Sequence, residues 1–301
     1  TKQAARIISE ASNLYSQAYF NYSAKKSGGY TISQLRFGKK PIRSEYAIRN
    51  ADYVCCNKAT YVHRFDMLND IRPGGTFVLN SPWTADEMKK QLPAKVKRDI
   101  CTKKLKFYNV DAISIAAAVG LGARINTIME TVFLKLVGVI DITTAITRLK
   151  ELISTTYIHE GGDIVNKNIA AVDKAIDGIT EIDYPYSWAN ATDDTPAATD
   201  NEPCFITKVA RPCLERKGDE LPVSAFAPDG SLPMGTTAFE KRRIAINVPE
   251  WNADKCVECT ECSLVCAHAA IRPILIDATE KASAPIEMIS KNAYGNDLKQ
   301  Y

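Results

Sequence analysis

Along the first two-thirds of the chain, short apolar runs alternate with stretches whose apolar positions recur every three or four residues. ADYVCCN (51–57) is one such run and predicts a strand, and Tyr61, Val62, Phe65 and Leu68 after it fall at helical spacing. GGTFVLNSPW (74–83) reads as a glycine turn, a β-rich run from Thr76 to Leu79 and a Ser-Pro break. LKFYNV (105–110) predicts another strand, and Asp111 is placed to cap a helix over 112–119. From 141 to 157, Ile142, Ala145, Ile146, Leu149, Ile153 and Tyr157 share one helical face. Strands alternating with helices imply a mostly parallel sheet covered on both sides, so the expected fold class is α/β, with a Rossmann-like domain. There is no internal repeat.

The pattern changes near residue 183. Seven of the fourteen prolines fall between 183 and 236, without clear periodicity. Such a stretch is an extended linker or a wrapping arm rather than a domain. Phe205, Ile206, Leu221, Val223 and Phe226 give it enough apolar surface to dock on a neighbour. KRRIAINVPEW (241–251) then predicts a short strand leading into a dense group of cysteines.

Length and charge bound the reading further. A chain of 301 residues has room for one large domain and something smaller. A net charge of +3 supplies no broad basic field, which argues against a nucleic-acid partner or an anionic membrane surface. The most apolar region, 111–140, is interrupted by Asp111, Arg124, Asn126, Glu130 and Lys135, so it predicts no membrane-spanning helix. No signal peptide opens the chain, and the expected location is cytoplasmic, with a hydrogenosome or related organelle as the alternative.

Four of the nine cysteines lie in CVECTECSLVCAHAAIRP (256–273), spaced C-x2-C-x2-C-x3-C at Cys256, Cys259, Cys262 and Cys266. Disulfides fit poorly, because the other five cysteines are scattered. Zinc usually takes two C-x2-C pairs separated by a dozen or more residues, and these cysteines are too close together for two such knuckles. The spacing reproduces the ferredoxin run that wraps a 4Fe–4S cluster, although Ala267 stands where the usual proline follows the last cysteine. In two-cluster ferredoxins the fourth cysteine serves the other cluster. Cys256, Cys259 and Cys262 are therefore expected on one cluster and Cys266 toward a second, whose own run is not found in 267–301.

KKSGGYTISQLRFGKKPIRSEYAI (25–48), GGTFVLNSPW, KLKFYNVDA (104–112), GLGARINTIMETVFLKLVGVI (120–140) and the cysteine run together resemble the pyruvate:ferredoxin (flavodoxin) oxidoreductase family. That resemblance implies a gamma-type CoA-binding α/β domain over 1–197, an extended linker over 198–236 and a partial 4Fe–4S ferredoxin-type α+β domain over 237–301. It implies a larger, usually homodimeric enzyme, of which this chain is a fragment. Such an enzyme oxidises pyruvate with CoA to acetyl-CoA and CO2 and reduces ferredoxin or flavodoxin. Thiamine diphosphate and Mg2+ are expected on parts of the enzyme outside this sequence, since it has no Gly-Asp-Gly followed at a distance by Asn. A pyruvate:NADP+ oxidoreductase sharing this core is the enzymatic alternative, and a non-catalytic iron–sulfur carrier the other.

The resemblance also assigns candidate CoA contacts. Read alone, Lys25-Lys26-Ser27-Gly28-Gly29 is a solvated turn; the family's matching lysine lies at the CoA site, which points to Lys26. GLGARIN (120–126) reads alone as a helix-ending glycine turn; Asn126 matches a CoA-contacting position, and Asn168 in IVNKN matches another. An amide suits a pantetheine or ribose hydroxyl because it both donates and accepts. Cys55 and Cys56 read as strand packing, and no nucleophile motif accompanies His63 or His159.

Overall fold

A computed structural model describes residues 1–23, 29–192, 202–240, 249–285 and 288–293. The chain divides into two compact units, Thr1–Arg242 and Arg243–Tyr301.

The first unit opens with α1 (Lys2–Ala11) and an antiparallel hairpin of β1 (Tyr15–Tyr22) and β2 (Thr31–Gly38). A second sheet follows, built from β3 (Ala51–Cys56), β4 (Ile71–Asn80) and, after α2 (Ala85–Gln91) and α3 (Ala94–Thr102), β5 (Lys106–Val110). Helices α4 (Ala112–Ala118), α5 (Asn126–Val137), α6 (Ile142–Thr156) and α7 (Gly162–Asp177) lead to β6 (Thr180–Glu181). The strand order is β3-β4-β5-β6, parallel throughout except for the antiparallel edge strand β6. The expected α/β architecture with a mostly parallel sheet is therefore present.

The apolar runs follow from burial on both sheet faces. Phe77, Leu79 and Phe107 point to one face, where Met88 of α2 and Val96 and Ile100 of α3 complete the core. Phe77 and Phe107 stack across β4 and β5 with centroids 5.3 Å apart. Val78 and Val110 point the other way, against Ala116, Ile128, Val132 and Ala171 from α4, α5 and α7. A third cluster joins Ile7 of α1 to Leu134, Leu149, Ile153 and Val172, so α6 is held by helices rather than by the sheet. Glu130, one of the charges interrupting the apolar 111–140 region, is buried on α5. Burial raises its pKa, while a hydrogen bond from the Ala4 amide at the start of α1 acts in the opposite sense.

Several local expectations are corrected. β4 begins at Ile71, before the glycine turn, which instead forms an irregularity within the strand. Gly74 has φ +73°, and a Cβ on Gly75 would come within 2.9 Å of the Arg72 carbonyl oxygen, so both glycines are needed there. The helical spacing after β3 yields only a 3₁₀ turn at Ala59–His63. The linker contains helical turns at Ile206–Ala210 and Arg211–Leu214. Ile206 and Val209 are buried in this unit, whereas Val223 and Phe226 are exposed rather than docked. The strand expected in 241–251 falls largely on residues outside the described ones. Among the described residues no helix is long and apolar enough to cross a membrane.

Candidate functional site

The carboxyl edge of a parallel sheet is where open α/β folds collect their ligands. Here that edge is laced by side-chain amides. Asn80, ending β4, donates from Nδ2 to the Asn57 carbonyl (2.9 Å) and accepts on Oδ1 from the Ala112 amide at the start of α4 (3.0 Å). Asn109 of β5 accepts from Ser81 Oγ (2.8 Å) and donates to the Ser81 and Trp83 carbonyls (3.0 and 3.3 Å). A satisfied buried network of this kind fixes backbone that would otherwise be a loose loop. The apolar pattern marked the strands but not these polar side chains, whose partners are set by the tertiary fold.

Beyond that edge, Asp111 caps α4 as expected, accepting from the Ser114 amide (3.0 Å). The helix ends in a Schellman arrangement: Gly120 N–H donates to the Ala117 carbonyl (3.0 Å) and Leu121 N–H to the Ala116 carbonyl (2.8 Å). Gly120 sits at φ +77°, and a Cβ there would lie 3.1 Å from Lys167 Cε. The Lys167 stem thus crosses this turn while its ammonium pairs with Asp163 at 2.5 Å.

Asn126 is exposed as the first residue of α5. Asn168 is buried on α7, where its Oδ1 accepts from Thr127 Oγ1 (2.7 Å) and its Nδ2 donates to the Ile164 carbonyl (2.9 Å). The two candidate amides therefore lie close together, linked through Thr127, with one facing outward and the other tying α7 to the start of α5. Lys26 lies outside the described residues.

In the second unit the cysteine run is wound by backbone conformations rare for L-residues. Glu258 (φ 56°), Thr260 (φ 60°) and Ala269 (φ 49°) are all left-handed, three of the non-glycine residues with positive φ among the described ones. Non-glycine residues adopt this region uncommonly, at a cost in strain. Here it aims amides at sulfur: Glu258 N–H donates to Cys256 Sγ (3.4 Å) and Ala270 N–H to Cys266 Sγ (3.3 Å). Backbone N–H groups from Ile271, His268 and Ala270 hold the Cys266 thiol below its usual pKa. AHAAIRP (267–273) is not helical. Ala269 N–H bonds the Cys266 carbonyl in a turn that folds the chain back over the sulfur.

Cys262 stands on a single helical turn, Glu261–Leu264, and both it and Cys259 are exposed. Lys291 anchors the loop, donating to the Cys256 carbonyl (2.7 Å) and pairing with Glu258 (3.4 Å). Among the described residues no three His, Cys, Asp or Glu side chains converge tightly enough to close on a single metal ion. The donor set, four thiols in one short loop with amides directed at two of the sulfurs, suits an iron–sulfur cluster in its chemistry.

Residues 1–178 match the family described as pyruvate ferredoxin/flavodoxin oxidoreductase, and residues 191–245 match a domain of unknown function. Over 296 residues the chain is 52% identical to a pyruvate:ferredoxin oxidoreductase of Moorella thermoacetica, covering 98% of this chain and 25% of that protein. It is 43% identical over 302 residues to a pyruvate-flavodoxin oxidoreductase of Enterobacter agglomerans, covering 100% and 26%. It is 46% identical over 297 residues to the mitochondrial pyruvate dehydrogenase (NADP+) of Euglena gracilis, covering 98% and 16%. The chain spans about a quarter or less of the length of these relatives. Among solved structures, a pyruvate oxidoreductase subunit PORC of Thermotoga maritima is similar with a TM-score of 0.47 and 17% identity, over 60% of this chain and 91% of that one.

Proposed function

Because this chain belongs to the pyruvate ferredoxin/flavodoxin oxidoreductase family, we propose that it forms the CoA-binding and electron-relaying segment of an enzyme that oxidises pyruvate. In that reaction the bond between the carboxylate and the carbonyl carbon of pyruvate breaks and CO2 leaves. The acetyl group passes to the CoA thiol, and two electrons go to ferredoxin or flavodoxin. The decarboxylation itself belongs to thiamine diphosphate and Mg2+ on other parts of such an enzyme, which is expected to be a homodimer.

Cys256, Cys259, Cys262 and Cys266 are the residues that would hold 4Fe–4S clusters in this chain. A cluster supplies one-electron redox chemistry when bound, which suits acceptors that take electrons singly. The protein's own part is to present thiolates and to place amide hydrogens beside their sulfurs, which favours the anionic form needed for ligation. The observation that carries this reading is the four-cysteine run turned by left-handed residues so that amides face Cys256 and Cys266.

For CoA, Lys26 would meet a phosphate and Asn126 would offer its exposed amide to a hydroxyl. Asn168 would act as a positioning residue, fixing the start of α5 through Thr127. Lys26→Ala in the complete enzyme should raise KM for CoA by roughly ten- to a hundredfold, the worth of one charge-assisted contact, and leave KM for pyruvate nearly unchanged. An unchanged KM for CoA would return 25–29 to its reading as a solvated turn. The Euglena relative supports a second reading, in which the same segment feeds electrons toward NADP+. Reduction of NADP+ by the purified complete enzyme, without added ferredoxin or flavodoxin, distinguishes the two. A cytoplasmic location fits the first reading, and the same relative supports an organelle as the alternative.

A further inference from the structure

Tyr30, Tyr61 and Phe65 form an aromatic group where the chain enters β2. Tyr30 and Phe65 meet edge to face at 5.3 Å, as do Tyr61 and Phe65 at 5.2 Å. Tyr61 Oη donates to the Gly29 carbonyl (3.1 Å), fastening the backbone next to Tyr30. Two guanidinium groups cover the aromatic faces. Arg64 lies 5.3 Å from the Phe65 centroid, and Arg216, reaching in from the linker, lies 5.9 Å from the Tyr30 centroid.

Arg216 is unusual in two ways. It is exposed at φ 68°, a conformation that favours glycine. Among the described residues its guanidinium has no carboxylate partner and donates to no acceptor. The linker is also tied to this unit nearby, by Arg49 and Asp219 at 3.7 Å. A strained, unpaired arginine over a half-buried tyrosine is a poor structural strut. It does suit a planar, negatively charged ligand, because a guanidinium matches phosphate oxygens with its fork of donors and an aromatic face takes a base by stacking.

We infer that Tyr30, Phe65, Arg64 and Arg216 form a subsite for the nucleotide end of CoA, adenosine 3′,5′-bisphosphate, with the aromatic group receiving the base and the guanidiniums its phosphates. The inference rests on the CoA reading above and extends it. The linker, not only the α/β domain, takes part in binding, and the residues named are separate from Asn126 and Asn168.

The test uses the complete enzyme, with adenosine 3′,5′-bisphosphate as a competitor of CoA and pantetheine as a thiol acceptor lacking the nucleotide. In Arg216→Gly the competitor should bind roughly ten- to a hundredfold more weakly and KM for CoA should rise in parallel. KM for pyruvate and the rate with pantetheine should be unchanged. Glycine relaxes the left-handed backbone at this position, so the variant loses no fold. Arg216→Lys should recover part of the loss, and Tyr30→Leu should weaken the competitor at least about fivefold through lost stacking.

If both variants bind adenosine 3′,5′-bisphosphate as the wild type does, the subsite is disproved. The same follows if the wild type ignores this nucleotide while CoA still saturates it, and the CoA reading then survives. If CoA itself shows no saturable binding, the underlying reading fails and takes the subsite with it.

Discussion

The two units of this chain are ordered by different means. In the first, Phe77, Phe107, Ile100, Leu149 and Ile153 are buried almost completely, and three apolar clusters run through sheet and helices. In the second, Ile276 is the buried apolar side chain among the described residues, while Val257, Leu264 and Val265 are 71%, 81% and 79% exposed. What organises the second unit is backbone: left-handed turns, amides directed at sulfur and the Lys291 tie to Cys256. Hydrophobic burial gives the α/β unit its own cooperative stability. Were the proposed cluster bound, the cysteine unit would draw its stability from it, because a closed thiolate site contributes folding free energy directly.

The comparison can be broken most forcefully at the stacked ring pair. Phe107→Ala removes a ring buried between sheet and helices and should cost about 3–5 kcal/mol. Urea unfolding followed by far-UV circular dichroism should show that loss in the α/β transition; a loss below about 1 kcal/mol would mean that this core is not what holds the unit.

A smaller effect is expected at the buried amide. Asn168→Ala leaves Thr127 Oγ1 without its partner and should cost about 1–3 kcal/mol. In the complete enzyme the same change should raise KM for CoA through a displaced α5 start. Normal stability together with a raised KM would instead make Asn168 a direct contact.

The smallest effect is alkaline. Burial pushes the Cys56 thiol up to about 11 and the Cys55 thiol up to about 12, Cys55 also being raised by its neighbour Cys56. The unfolded chain releases these protons near pH 9 and the folded one does not, so their contribution is intact below pH 9 and declines as pH rises toward 11–12. Iodoacetamide at pH 8 should therefore label the exposed Cys204 and Cys213 quickly and leave Cys55 and Cys56 unmodified until the unit unfolds. Early labelling of Cys56 would show that the sheet opens locally.

Much of the first unit is legible in its sequence, for a physical reason. Strands buried on both faces must be apolar at every position, as in Phe77–Leu79, and a helix packed on one side must repeat like α6. The hairpin β1–β2 is less legible, because both strands are only half buried and mix polar with apolar residues. The Asn80 and Asn109 networks are set by contacts between distant segments and leave no periodic trace. At AHAAIRP, alanines that favour a helix yield to a left-handed Ala269 that turns amides toward Cys266. The cysteine spacing proposes the sulfur donors but leaves no trace of the backbone conformations that surround them. Asn126 and Asn168 are proposed as CoA contacts only through the family resemblance, and the structure separates an exposed amide from a buried one.

The contrast between the units is tested most directly by measuring iron and acid-labile sulfide, together with the thermal transition of the α/β unit, in anaerobically prepared wild-type protein and in Cys259→Ser. The account predicts iron and sulfide in equal amounts in the wild type and a large loss of both in Cys259→Ser, with the α/β transition unmoved. Zinc without sulfide at the cysteines, or an α/β transition that collapses when the iron is lost, would contradict it.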